Sequence, residues 1–337
     1  MFLNLVPSQP SLHLGTHTKP PTPFLYTMPL KPTPELQQRL GRLEFLAKQA
    51  VEGFITGKHK SPFHGFSVEF AEHRLYNPGE STKHIDWKLY ARSDKMFIKR
   101  YEEETNLRSQ IVIDTSSSMR YPTHATLDDD HTNKLKFSAL SASALIELLR
   151  RQRDAVGLSL FADDLFTNTS AKSNLAHHRL LFHNLEQLVD NPLATPQATS
   201  AISSIHEIAE STHRRSLIII FSDMLDRSED LEATIDALQH LRHNKHEVVV
   251  FHTLDAKTEL NFEFPERPTR FVDLESGAEV KLHPSEIREN YTSRIADLRK
   301  ELSTRCGVHG IDFVPVDISE GPIPVLARYL IKRKKLF

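Results

Sequence analysis

Four short, nearly continuous apolar runs constrain the fold of this chain more than any other feature. They read SQIVID (109–114), AVGLSLF (155–161), SLIIIFS (216–222) and EVVVF (247–251). A short run of this kind is typical of a strand that is buried on both faces. Segments with helical spacing separate the runs, for example Phe137, Leu140, Ala144 and Leu148. The sequence therefore predicts an α/β fold with a doubly wound, mostly parallel sheet covered by helices on both faces.

Further segments extend this alternation. Strands are predicted at 164–169, returning antiparallel to 155–161, and at 311–316, with a hairpin over 271–282 that turns at Ser276 and Gly277. Helices are predicted at about 34–57, 133–153, 173–189, 199–212, 231–241, 287–302 (ended by Gly307) and 322–335. Residues 65–108 mix short strand-like pieces with turns, which predicts a small irregular α+β module ahead of the sheet.

The chain divides into three parts. Residues 1–33 are rich in proline, lack apolar periodicity and lack the basic flank of a signal peptide, so they are predicted to be a disordered leader. The start of translation, at Met1 or at Met28, stays open. Residues 34–108 hold the first helix and the irregular module, and 109–337 form the sheet domain.

Composition excludes several classes of function. Lysine and arginine number 42 against 44 aspartates and glutamates, and a chain so close to neutral is not expected to bind nucleic acid. The only cysteine, Cys306, rules out an internal disulfide framework and a cysteine-ligated zinc site, and we therefore expect a cytoplasmic protein. The sequence has no run of about 18 apolar residues, so no membrane span is expected.

Two of the predicted strands end in carboxylates. Asp114 closes the first strand and is followed by Ser116 and Ser118, and Asp223 follows the strand 216–222. Because the carboxyl ends of parallel strands lie along one edge of a sheet, these side chains are expected to meet. Oxygen ligands suit a hard cation, so the sequence predicts a site for Mg²⁺, Mn²⁺ or Ca²⁺.

This pattern resembles the metal-ion-dependent adhesion site (MIDAS) of von Willebrand factor A (VWA) domains. Asp114, Ser116, Ser118 and Asp223 match it residue by residue, and Thr199, with Thr195 as the alternative, would supply its threonine. The resemblance implies a doubly wound sheet with the ion at its upper edge, some ligands acting through water, and a docking point for a glutamate or aspartate of a partner protein. The acidic residues 128–130, in a loop longer than the pattern, could also reach the ion.

The segment 65–108 resembles the signature of a bacterial family of unknown function that joins this segment to a VWA fold. The matching residues are Glu69, Phe70, Arg74, Tyr76, Pro78, Gly79, Ile85, Asp86, Trp87, Ala91, Arg92, Lys99 and 101–104. Members are commonly encoded beside MoxR-type AAA+ ATPases, which implies an adaptor or co-chaperone that assists such an ATPase in assembling or activating another complex. Trp87, the only tryptophan, is expected to be buried and to anchor the segment on the sheet domain.

The sequence contains no convincing set of catalytic residues. Residues 53–59 (GFITGKH) depart from a phosphate-binding loop in spacing and in their last residue, so an ATPase activity would come from the partner. Two alternatives to the metal-dependent interaction protein remain open. One is a magnesium-dependent phosphoester hydrolase that uses the same carboxylates, and the other is a scaffold that binds no ion.

Overall fold

The computed structural model describes residues 5–7, 41–56, 70–76, 85–93, 95–101, 107–162, 165–190, 201–224, 231–274 and 278–336. The strands in these ranges are β1 (Leu5–Pro7), β2 (Phe70–Leu75), β3 (Phe97–Tyr101), β4 (Arg108–Asp114), β5 (Ala155–Phe161), β6 (Leu165–Lys172), β7 (Leu217–Ser222), β8 (Glu247–Leu254), β9 (Thr269–Asp273), β10 (Glu279–Leu282) and β11 (Asp312–Asp317). The helices are α1 (Arg42–Thr56), α2 (Trp87–Ser93), α3 (Lys134–Arg151), α4 (Leu175–Asp190), α5 (Ala201–Ser211), α6 (Leu231–His243), α7 (Pro284–Val308) and α8 (Pro322–Leu336).

The main sheet of the described residues has six strands in the order β11-β8-β7-β4-β5-β6. All neighbouring pairs are parallel except β5 and β6, which are antiparallel as the sequence predicts. The predicted fold class, an α/β protein with a mostly parallel sheet between helices, is confirmed. Strand β4 lies between β5 and β7. After β4, the chain first adds β5 and β6 on one side of it and then adds β7, β8 and β11 on the other side.

Alternate side chains of the strands enter two separate apolar cores. One core contains Ile111 and Phe221 and packs against α1, α3, α4 and α8. The other contains Val112 and Ile220 and packs against α5, α6 and α7. Because both faces are covered, the central strands read as continuous apolar runs. Helix α1, which precedes the irregular module, thus packs into the core of the sheet domain.

Two smaller sheets complete the described fold. Strands β1, β9 and β10 form an antiparallel sheet, in which Leu5–Pro7 of the predicted leader pair with β9. Strands β2 and β3 pair antiparallel within the module. Asp86 caps the N-terminus of α2 by accepting hydrogen bonds from the backbone N–H groups of Lys88 and Leu89. The other residues of the leader, and the turn at 275–277, lie outside the described residues.

Two local predictions are wrong. Trp87 is 60% exposed rather than buried; it is the first residue of the short helix α2, and its ring forms a T-shaped pair with that of Tyr90. Helix α7 continues through Gly307 to Val308. The residue that adopts the left-handed conformation after the helix is Gly310, with φ 66°, and the N–H of Ile311 then returns to the carbonyl of Cys306.

Candidate metal centre

The predicted site lies where the strand order reverses. Strands β4 and β7 are neighbours at the centre of the sheet, and their crossover connections lead away in opposite directions. At such a point the loops that leave the two strands separate and open a crevice at the carboxyl edge of the sheet, which is where ligands bind in open α/β folds. Asp114 ends β4 and Asp223 directly follows β7, so both carboxylates belong to this edge.

The loop after β4 is folded by its own polar groups. The Thr115 hydroxyl and backbone N–H both donate to the carbonyl oxygen of Phe161, at 2.7 and 2.8 Å, which ties the loop to the neighbouring strand β5. The backbone N–H of Ser116 donates to Asp114 Oδ1 at 2.9 Å, an aspartate turn. A short 3₁₀ turn over Ser117–Arg120 follows. As a result the hydroxyls of Ser116 and Ser118 lie 3.0 Å apart, and both residues are buried.

The two strand ends are joined by Ser222, a residue that the sequence analysis did not assign to the site. Its hydroxyl donates to Asp114 Oδ2 at 2.7 Å and accepts from the backbone N–H of Met224 at 2.9 Å. Both oxygens of Asp114 therefore accept hydrogen bonds. The position of Ser222, immediately before Asp223 at a strand end, is the sequence signal that could have identified it.

Two further charged residues reach the site. The Lys134 ammonium, at the start of α3, lies 2.8 Å from Asp223 Oδ2 and 2.6 Å from Glu259 Oε1. The side chain of Lys134 is fully buried, and Glu259 belongs to the helical turn Ala256–Leu260 that follows β8. A lysine in the first turn of a helix is unfavourable next to the positive end of the helix dipole unless an acid compensates it. That placement is the signal in the sequence for Lys134, and we find none for Glu259.

Burial and mutual repulsion control the ionisation of these groups. Burial, and then the charge of Asp223, raise the pKa of Asp114 to about 6. Burial alone would lower the pKa of Lys134, but the carboxylates of Asp223 and Glu259 raise it above its usual range, so the ammonium keeps its charge. Burial lowers the pKa of the neighbouring His252 to about 4, so this imidazole is neutral near pH 7.

The predicted site residues have different outcomes. Asp114, Ser116, Ser118 and Asp223 share the predicted edge, and each is less than 5% exposed. Thr199 and its alternative Thr195 lie outside the described residues. In the acidic loop, Asp128 pairs with Arg42 of α1, and Asp129 Oδ2 accepts from the backbone and hydroxyl of Thr126. These two side chains are therefore engaged with Arg42 and with Thr126.

The donor set fits a hard divalent cation. Among the described residues, no three or more histidine, cysteine, aspartate or glutamate side chains are arranged to hold a metal, so any ion would also need the serine hydroxyls. The site contains three buried carboxylates, those of Asp114, Asp223 and Glu259, and one buried ammonium, that of Lys134, which pairs with Asp223 and Glu259. The cluster carries two uncompensated negative charges when its acids are ionised. A divalent cation would neutralise it, which is the usual requirement for charges buried in protein.

Fold and site together define an α/β protein with a polar, acidic cluster at the switch point of its sheet. Residues 72–301 match the family described as protein of unknown function DUF58, and the chain belongs to this family. Uncharacterized proteins of Mycobacterium bovis and Mycobacterium tuberculosis are each 22% identical to it over 307 residues, which cover 90% of this chain and 91% of each relative. The predicted bacterial family of unknown function is thereby confirmed.

Several solved structures are also similar. The conserved hypothetical protein BatB from Bacteroides thetaiotaomicron is 18% identical, with 68% of this chain and 99% of that chain covered and a TM-score of 0.40. An aerotolerance-related membrane protein from Bacteroides fragilis is 17% identical, with 68% and 100% covered and a TM-score of 0.41. An uncharacterized membrane-spanning protein from Vibrio fischeri is 18% identical, with 68% and 98% covered and a TM-score of 0.22.

Two of these neighbours are described as membrane proteins, and the predicted cytoplasmic location, which rested on cysteine content, is withdrawn. Within the described residues, no helix has both the length and the apolar character that crossing a membrane requires.

Proposed function

We propose that the chain is a metal-ion-dependent protein-interaction protein of the VWA type. Asp114, Ser116, Ser118 and Asp223 would hold a Mg²⁺ ion, with Mn²⁺ or Ca²⁺ as substitutes and with Thr199 or Thr195 as a further ligand. The observation that supports this most strongly is the pair of buried hydroxyls, 3.0 Å apart, next to Asp114 at the switch point of the sheet. Two of the proposed ligands are neutral hydroxyl oxygens, and Mg²⁺ keeps exchangeable coordination positions, so the bound ion can accept an external carboxylate as a further ligand.

The partner would supply a glutamate or aspartate to the ion. Because the four side chains are nearly fully buried, the partner can approach only if the segments over the strand edge separate. The described conformation therefore corresponds, under this proposal, to a closed form. From the resemblance of residues 65–108 and 114–223 to their family, we propose that the partner is a MoxR-type AAA+ ATPase, and that the pair assembles or activates another complex.

Capture experiments with purified proteins test this proposal. The chain would be immobilised and offered the MoxR-type ATPase of the same organism, with Mg²⁺ or with EDTA. We expect capture with Mg²⁺, loss of capture with EDTA, and loss in Asp114→Ala. The matched control is Asp236→Ala, which removes an exposed aspartate of α6 and is expected to leave capture unchanged. Capture that survives both EDTA and Asp114→Ala would contradict the proposal.

One observation favours the alternative, a magnesium-dependent phosphoester hydrolase. The pKa of Asp114, raised to about 6, lies in the range of a general base. Against it, both oxygens of Asp114 already accept hydrogen bonds, so a substrate proton would have to displace one of these donors. Turnover of 4-nitrophenyl phosphate that requires Mg²⁺ and disappears in Asp223→Ala would favour the hydrolase over the interaction protein.

A further inference from the structure

Lys134 is held at the site by its place in the chain. Asn133 caps helix α3 by accepting a hydrogen bond from the backbone N–H of Lys136, and the backbone N–H of Lys134 donates to the carbonyl of Tyr121 at 3.1 Å. The side chain then extends to a point between two carboxylates that are distant in sequence. With the side chain fully buried, its ammonium has no access to bulk water.

Glu259 is oriented independently of Lys134. Its Oε2 accepts from the backbone N–H of Asp255 at 2.7 Å, and its Oε1 receives the ammonium. A chain of contacts thus runs from the Asp255 backbone through Glu259 and Lys134 to Asp223. In this arrangement Glu259 fixes the ammonium, and the ammonium fixes one oxygen of Asp223.

We propose that Lys134 and Glu259 are positioning residues of the ion site, and that their opposite charges set its affinity for the divalent cation. This inference rests on the proposed function, because it assigns regulation to the same site. Lys134 competes with the ion for Asp223, whereas Glu259 compensates Lys134, so that the cluster keeps two uncompensated negative charges when its acids are ionised. Coulomb interactions over such distances are strong where water is excluded, so changing one charge changes ion affinity.

The test is a double-mutant cycle on the full chain, in which the charges of Lys134 and Glu259 are removed one at a time and together. Mg²⁺ and Mn²⁺ affinities would be measured by calorimetry after EDTA treatment for wild type, Glu259→Gln, Lys134→Met and the double variant. Glu259→Gln is expected to weaken binding about tenfold or more, because it leaves one uncompensated negative charge instead of two. Lys134→Met is expected to strengthen binding by a similar factor. The double variant has the wild-type charge and is expected to return to within about threefold of wild type.

The cycle separates an electrostatic role from a merely structural one. If the residues only support the fold, affinity follows thermal stability, and the double variant binds no better than Glu259→Gln. Glu259→Gln keeps an oxygen for the Asp255 N–H and decides the matter even if Lys134→Met fails to fold. Glu232→Gln, which removes an exposed partner of Arg305, is the control for surface charge.

The measured affinities distinguish a failure of this inference from a failure of the proposed function. Equal affinities in all four proteins would overturn this inference and leave the proposed function standing. Binding by Lys134→Met but not by wild type would support the inference and contradict ion-dependent capture by the native chain. Failure of every protein to bind Mg²⁺ or Mn²⁺ would overturn both.

Discussion

The hydroxyl of Ser222 donates a 2.7 Å hydrogen bond to Asp114 Oδ2, across the ends of the neighbouring strands β7 and β4. The hydroxyl oxygen of Ser222 also accepts a hydrogen bond from the N–H of Met224, whose backbone lies in the left-handed region with φ 50°. A single hydroxyl therefore both orients Asp114 and holds the turn that presents Asp223. The placement of both aspartates, which are far apart in sequence, thus involves the same serine.

Replacing Ser222 by alanine should destabilise the protein by about 1.5–3 kcal/mol, since it leaves the buried Asp114 carboxylate without one donor and the Met224 N–H without an acceptor. Urea unfolding measures the loss. The matched control is Ser141→Ala in α3, a fully buried serine whose hydroxyl makes no hydrogen bond within the described residues. Removing that hydroxyl should change stability by less than about 1 kcal/mol. Equal losses in the two variants would contradict the role assigned to Ser222.

Gly157 should not tolerate a side chain. A Cβ at this position of β5 would collide with the side-chain oxygen of Gln110 and with the backbone carbonyl of Thr169. The amide of Gln110 is fixed there by hydrogen bonds to the Ser159 hydroxyl at 2.8 Å and to that same carbonyl at 3.2 Å. Gly157→Ala is therefore expected to cost about 2–3 kcal/mol, as overpacking of a core does.

Gly307→Ala is the control, since a Cβ there meets no atom within 4 Å. It lies inside helix α7, where alanine is favoured over glycine, so the variant should gain about 0.5 kcal/mol. Thermal unfolding of both variants against wild type measures the two effects. A Gly157→Ala protein as stable as wild type would contradict the packing described for β5.

The sequence predicts the strands of the sheet well because a strand that is buried on both faces consists almost entirely of apolar residues. Strand β5 has the predicted bounds, and β4 differs from its prediction only by including Arg108. The same reasoning brings Asp114 and Asp223 to one edge, since the ends of buried parallel strands must lie together. Strand position thus follows from local composition, and the edge position of the two acids follows from strand direction.

Contacts between side chains that are distant in sequence produce no comparable pattern in the residues around them. Nothing in the neighbourhood of Glu259 indicates that it meets Lys134, because their contact depends on where the turn after β8 lies relative to α3. The prediction for Trp87 failed for a related reason. Its neighbour Asp86 indicates where α2 begins, but not which side chains of so short a helix face the protein.

The exposure of Trp87 predicts its fluorescence. As the only tryptophan in the chain and 60% exposed, it should emit at long wavelength and be quenched by iodide at a rate approaching that of N-acetyltryptophanamide. Trp87→Phe should remove the signal and change unfolding free energy by less than about 0.5 kcal/mol, as is usual for surface substitutions. A blue-shifted spectrum protected from iodide would show that Trp87 is covered in solution.

Asp154 should make the stability of the protein depend on pH. It is 1% exposed; its Oδ1 accepts from the N–H of Leu107 at 3.0 Å, and its Oδ2 has no hydrogen-bond partner within the described residues. Burial raises its pKa to about 6. Since the unfolded chain releases this proton near pH 4, the folded state binds it more tightly over the interval between the two values. The contribution of Asp154 to stability therefore falls as pH rises from about 4 to about 6 and stays low above that.

Asp154→Asn keeps an oxygen for the Leu107 N–H and cannot ionise. It should be more stable than wild type by about 2 kcal/mol near pH 8 and similar to it near pH 4, because only the ionised carboxylate is penalised by burial. Urea unfolding at these two pH values measures the difference, with the exposed Asp236→Asn as the control for a general loss of charge. A variant that is less stable than wild type near pH 8, or that differs from it equally at both pH values, would show that Asp154 is not held in the environment described. The sign of the effect distinguishes burial from ion pairing, since a carboxylate stabilised by a cation would give the opposite trend with pH.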